Sequence, residues 1–212
     1  MHLALFGASG RTGLLLTKLA LAQGHTVSAL VRNPKTYAPA GQVKVIQGDA
    51  FTPAAIARTL EGADAVFSAL GARSLGKEDV LERAVPLIVH EMEQARIPRF
   101  ITLGSAGALD SALDKQPRWR AWLVENLVYQ TALKWPVASQ RAQYAALAAS
   151  PLNWTMVMPP MLLDIPLKKR VRVDGDALPP GAAMIARADV ADFMMQQLTS
   201  NQWSKRGVYI SW

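Results

Sequence analysis

Residues 2–16 read HLALFGASGRTGLLL, and this stretch limits the fold more than any other. A short apolar run of β character passes within a few residues into the leucines of a helical run. Gly7, Gly10 and Gly13 stand between them, interspersed with Ser9, Arg11 and Thr12. In a strand–turn–helix unit each glycine has a task. Gly7 lets the chain turn sharply, Gly10 lets backbone approach a pyrophosphate, and Gly13 lets helix and strand pack closely. The free amides at the helix start then face the anion, favoured by a dipole worth about 0.3–1 kcal/mol per charge. Ser9 and Thr12 add hydroxyl donors. The spacing is G-x-x-G-x-x-G rather than G-x-G-x-x-G, and its context predicts a phosphate cradle.

The rest of the chain repeats the same alternation. Strands are predicted at 2–7, 26–31, 43–47, 64–69, 99–103, 153–158 and 207–211. Several are nearly continuous apolar runs, as parallel strands covered on both faces require. Helical spacing joins Leu15, Leu19 and Ala22 in 14–23, with Gly24 as a stop. It also joins Val80, Ala84, Ile88, Met92 and Ala95 in 78–96, and Val190, Phe193, Met194 and Leu198 in 188–199. The expected fold is α/β: a doubly wound, mostly parallel Rossmann-type sheet with helices on both faces, residues 1–212 forming one domain. Two stretches interrupt it, the Trp-rich 106–139 and the proline-rich, basic 159–187. Both are expected to build the substrate side, with surface decoration as the alternative.

Composition removes several function classes. The chain has no cysteine, which excludes disulfides, thiolate metal sites and thiol nucleophiles. Its net charge of +7 is spread out, with local groups at Arg118/Arg120 and Lys168-Lys169-Arg170. Neither group repeats along a helix face, so no nucleic-acid partner is expected. No apolar run is long enough to span a bilayer, and residues 1–16 lack the features of a signal peptide, so a cytoplasmic protein without a membrane partner is expected. His2, His25 and His90 are isolated, so no metal site is expected. There is no G-x-S-x-G elbow.

Arg32 defines the ligand further. An NAD site usually places a carboxylate near the end of the second strand, on the ribose 2′-hydroxyl. Here that strand ends Leu30-Val31-Arg32-Asn33. A planar guanidinium suits a 2′-phosphate, which Arg11 could also reach, so NADP(H) is expected over NAD(H).

With these residues in place the chain resembles the atypical short-chain dehydrogenase/reductases, the NAD(P)H-binding group that includes NmrA-like proteins. Within that group it is most similar to the NADPH-dependent flavin reductases that also reduce biliverdin-IXβ. The likeness is carried by FGASGRTGLL, LVRNP, GDAFTPAAI, DAVFSALGAR, GSA, SPLNWTMVMPP and ADVADFMMQQLTSNQWSKRGVYIS. It implies that Gly7, Ser9, Gly10, Arg11, Thr12 and Gly13 hold the pyrophosphate turn and Arg32 the 2′-phosphate. It places Asp49 and Ala50 near the adenine, and Leu70, Gly71, Ala72 and Arg73 along the ribose and diphosphate. Ser105 falls close to the nicotinamide, and Met158 and Pro159 flank its carboxamide.

The departures bear on chemistry. No Tyr-x-x-x-Lys pair exists, because Tyr37, Tyr129 and Tyr144 are followed four residues later by Gly41, Leu133 and Ala148. Tyr144 also stands where the flavin and biliverdin reductases carry a histidine. Hydride transfer to a stacked planar acceptor such as a flavin or quinone needs proximity more than a strong general acid. The expectation is therefore an NADPH-dependent reductase of a planar acceptor, with Ser105 and Tyr144 as candidate catalytic residues, acting as a monomer or homodimer. The rival expectation is an NmrA-like redox sensor without turnover. The segment 117–122, PRWRAW, is expected to pack a lid or subunit contact in preference to an aromatic anion.

Overall fold

The structure is a computed structural model that describes residues 1–72 and 74–212. The first half runs β1 (His2–Phe6), α1 (Arg11–Ala22), β2 (Thr26–Val31), β3 (Lys44–Gln47), α2 (Pro53–Leu60), β4 (Ala65–Ser68) and α3 (Val80–Gln94). The second half runs β5 (Arg99–Leu103), α4 (Arg118–Leu123), α5 (Lys134–Ala148), β6 (Asn153–Met158), β7 (Met161–Leu163), β8 (Arg172–Asp174), β9 (Met184–Ala186), α6 (Arg187–Gln196) and β10 (Arg206–Ser211). Eight strands form one sheet in the order β3-β2-β1-β4-β5-β6-β10-β8. All pairings in it are parallel except β10 with β8.

β1 is flanked by β2, with Leu3 opposite Val27, and by β4, with Leu3 opposite Ala65. After β3 the chain therefore crosses back over β1 before continuing. That reversal leaves a crevice beyond the carboxyl ends of β1 and β4, where open α/β sheets hold ligands.

Period-two alternation divides the core. Ala4 and Phe6 of β1 join Ile56, Ile88, Phe100, Trp154 and Tyr209 on the face covered by α2, α3 and α5. Leu3 and Leu5 point the other way, toward Leu16, Phe67, Ile101, Val190 and Ile210 beneath α1 and α6. Each such side chain is worth about 1.5–3 kcal/mol when fully buried, so a one-residue register slip would reverse both faces at once.

The predicted strands and the doubly wound order are all present. Helix limits moved: α1 starts at Arg11 instead of residue 14, α3 spans Val80–Gln94, and α6 spans Arg187–Gln196. The interrupting stretches have structure of their own. Residues 106–113 form two tight turns, and α4 runs on into a π-helical segment, Val124–Ala132. No residue from Arg118 to Ala132 is buried; Trp119 is 68% exposed and Trp122 59%. The 159–187 stretch supplies β8 and a separate parallel ribbon, β7 with β9. Among the described residues no helix is long and apolar enough to cross a membrane.

Candidate functional site

At the switch point lies a cleft of about 480 Å³, within the usual range for cofactor sites. The glycine turn forms its base. Gly7 has φ +74°, and a Cβ there would sit 2.6 Å from the Ala69 carbonyl carbon at the end of β4. The Gly10 amide donates to the Gly7 carbonyl at 3.0 Å, closing the turn. At Gly10 the only atom near a built Cβ is the Gly7 oxygen, at 3.2 Å, so the side facing the cleft is open to a ligand. Gly13 differs: it lies behind the cleft, and a Cβ there would overlap the Gly7 carbonyl oxygen and the Ala8 backbone. Gly7 thus serves the turn and Gly13 the packing, while Gly10 leaves clearance at the cleft.

α1 starts without a side-chain cap and without an acidic residue in its first turn. Its first amides and positive dipole end are left for an anion from outside the helix. Ser9, Arg11 and Thr12 line the same edge.

A second wall comes from the ends of β2 and β3. Arg32 follows β2, lines the cleft, is exposed and, among the described residues, enters no ion pair. Asp49 and Ala50 also line it. One oxygen of Asp49 accepts from the Phe51 amide and the Thr52 hydroxyl, both at 2.9 Å, which stiffens this loop. Phe51 contributes a ring, with the Arg83 guanidinium 4.4 Å from its centroid on α3. Leu70, Gly71 and Ala72, after β4, line the middle; Arg73 lies outside the described residues.

The opposite end is lined by Leu103, Gly104, Gln140, Leu162 and Arg187. Gln140 is held by its α5 neighbour Gln143, whose amide donates to the Leu103 carbonyl at 3.1 Å and to Gln140 Oε1 at 3.4 Å. The Gln140 amide nitrogen is thereby the group left to donate. Asp164, just past β7, accepts from Arg11 of the glycine turn and from Arg187 Nε at 2.6 Å. These guanidiniums, Arg187 first, hold the Asp164 carboxyl below the usual carboxylate range.

The remaining predicted residues fall outside the lining. Ser105 follows Gly104 and is half-buried, and its hydroxyl has no hydrogen-bond partner among the described residues. Met158 is fully buried, with its Cε against Gly207. Pro159 is buried, and its carbonyl accepts from the Ala106 amide at 2.9 Å. Tyr144 packs edge-on against Trp154, with centroids 5.5 Å apart, and belongs to the core beneath α5. The Trp-rich stretch surrounds a second cavity of about 470 Å³ that includes Leu113, Tyr129 and Val137. The buried turn at 106–108 lies between the segments lining the two cavities, with Tyr129 and Val137 packed on Gly107. Burial raises the Tyr129 phenol above its ordinary value.

Sequence reasoning did not identify Phe51, Gln140, Asp164 or Arg187. Gln140, Asp164 and Arg187 are single side chains brought in from distant elements with no local spacing to mark them, whereas Phe51 stands next to the predicted Ala50. Among the described residues no cluster of ligand-type side chains could hold a metal.

Comparison with known proteins agrees with this geometry. Residues 7–201 match the NAD(P)H-binding family model, and the chain belongs to that family. The Bacillus subtilis (strain 168) protein YwnB is 31% identical over 109 residues, so the match spans about half of each chain (51% of this one and 49% of YwnB). A Burkholderia pseudomallei protein, provisionally described as exported, is 27% identical with a TM-score of 0.82 and full coverage of both chains. SP1627 of Streptococcus pneumoniae TIGR4, provisionally assigned as an NADH-flavin reductase, is 25% identical with a TM-score of 0.76, covering 100% of this chain and 99% of its own. ChuY, an anaerobilin reductase of Escherichia coli O157:H7, shares the fold, with a TM-score of 0.83 at 22% identity over 100% and 97% of the two chains. The chain thus has an NAD(P)H-binding, oxidoreductase-like fold.

Proposed function

We propose that this chain is an NADPH-dependent reductase that passes hydride to a planar acceptor such as a flavin or quinone. One observation carries the proposal: among the described residues Arg32 lines the cleft without an ion-pair partner, and no carboxylate, histidine or tyrosine lines the end at Leu103, Gly104 and Leu162. Arg32 suits a 2′-phosphate, which distinguishes NADPH from NADH. The uncapped start of α1 and the clearance at Gly10 suit a diphosphate.

A bound nicotinamide dinucleotide supplies the hydride. The chain supplies position. Leu103, Gly104 and Leu162 offer an apolar slot, and the Gln140 amide can fix a carbonyl there. Ser105, one residue beyond the lining, is placed to donate its hydroxyl to the carboxamide or the acceptor. We assign Tyr144 to packing and not to proton transfer. Without a strong acid beside the slot, the proton comes from solvent, which flavins and quinones tolerate. The relatives named for flavin and bilin reduction support the same substrate class.

The exposed Trp119 and Trp122 favour a second reading, a cofactor-sensing protein that docks a partner. Oxidation of NADPH followed with FMN, riboflavin and a quinone panel separates the two. The reductase predicts acceptor-dependent loss of NADPH absorbance, reduced about tenfold or more in Ser105→Ala if its hydroxyl orients the reacting rings, a loss of one hydrogen bond. Binding of NADPH with no oxidation by any acceptor would leave the sensor.

A further inference from the structure

We infer that Arg187 is the second jaw of a diphosphate clamp, held beside Arg11 of the glycine turn, and that Asp164 positions it. The inference rests on the dinucleotide assignment of the cleft and adds to it a binding residue from the far end of the chain. The Arg187 side chain is only 14% exposed, yet among the described residues its sole hydrogen bond is from Nε to Asp164. Among the described residues its two terminal nitrogens have no partner, and the residue lines the cleft. A guanidinium largely removed from water is costly unless its donors are satisfied, so a fork left free at a cleft wall is arranged for an anion.

The position does not serve helix stability. Arg187 is the first residue of α6, where the helix dipole disfavours a cation. Asp164 explains the geometry. By accepting from Nε it orients the planar fork, and by also accepting from Arg11 it ties the two jaws to one carboxylate. Two guanidiniums this close would otherwise repel each other. The shared carboxylate holds them as neighbours at the cleft, and Arg11 belongs to the turn at its base. A diphosphate, with two charged groups a bond apart, is the anion class that fits two neighbouring guanidiniums.

Titration of wild type, Arg187→Ala and Arg187→Lys with NADPH and with NADH tests the clamp. The diphosphate is common to both cofactors. Arg187→Ala should therefore weaken both by the same factor, on the order of tenfold, the value of one lost charge-assisted contact. Arg187→Lys keeps the charge but lacks the fork, and should recover only part of the loss. Asp164→Asn should weaken both cofactors by a smaller common factor. Thermal melting of each variant reports whether the fold persists, and Arg187→Lys keeps the test open if Arg187→Ala does not fold. Equal affinity in wild type and both Arg187 variants would overturn the clamp, as would a loss confined to NADPH or to the acceptor KM. Tighter binding in Asp164→Asn would overturn the positioning role. Failure of wild type to bind either cofactor would instead overturn the dinucleotide assignment itself.

Discussion

The two ends of the central strands use arginine in opposite ways. At the amino end Arg99, the first residue of β5, spends its guanidinium on the chain itself. It donates to the carbonyls of Gln197 at 2.6 Å, Asn153 at 3.0 Å and Ser200 at 3.4 Å, and to the Asn153 side chain. Burial lowers its pKa to about 10, so it remains charged at neutral pH inside a shell of carbonyl oxygens. At the carboxyl end, among the described residues, Arg187 has one bond to Asp164 and lines the cleft, and Arg32 lines it without an ion pair. One end of the sheet is closed by its own backbone. The other keeps its donors for a ligand.

Substitutions should separate the two ends. The largest expected effect is on stability. Arg99→Met would strand several carbonyl acceptors at the junction of β5, β6 and the end of α6, where each unsatisfied buried group costs about 1–3 kcal/mol. Chemical denaturation should show a loss of roughly 3 kcal/mol or more, and a loss below about 1 kcal/mol would mean water replaces the guanidinium without cost. Arg32→Ala should leave the denaturation midpoint almost unmoved and lower NADPH affinity about tenfold with NADH unchanged, because its phosphate contact is charge-assisted. Equal loss for both cofactors would place Arg32 on the diphosphate instead. The smallest effect is expected far from either end: Trp122→Ser should alter stability by less than about 0.5 kcal/mol, as exposed positions do. A larger loss would show that α4 packs against the body of the protein in solution.

Most of the strands legible in the sequence are apolar on both faces; β3 is the exception, with Ile46 alone buried. β1, β2, β4, β5, β6 and β10 are buried almost along their lengths. β7, β8 and β9 were not legible, since three residues cannot display a period and prolines surround them. The π-helical turn at Val124–Ala132 was equally hidden, because widening a helix changes hydrogen bonding and not residue type. In the site, the glycine turn and Arg32 were readable because backbone geometry and a missing acid leave local marks. Gln140, Asp164 and Arg187 leave none; their meaning comes from elements that meet only when the chain is folded. Tyr144 illustrates the reverse case: a residue type suited to chemistry, placed by α5 against Trp154, where it fills space.

The sheet order also has a consequence in time. Among the described residues β8 pairs with β10 alone, Tyr209 standing opposite Asp174, and β10 follows the other nine strands in the chain. During synthesis the early strands can pair in turn as they emerge, since domains assemble from the amino end. The edge strand β8 must wait for β10 to emerge, whereas β7 can pair with β9 and Asp164 with Arg187 before that. A nascent chain can therefore form the glycine turn long before Arg187 is made. The edge of the sheet closes after the wall of the cleft.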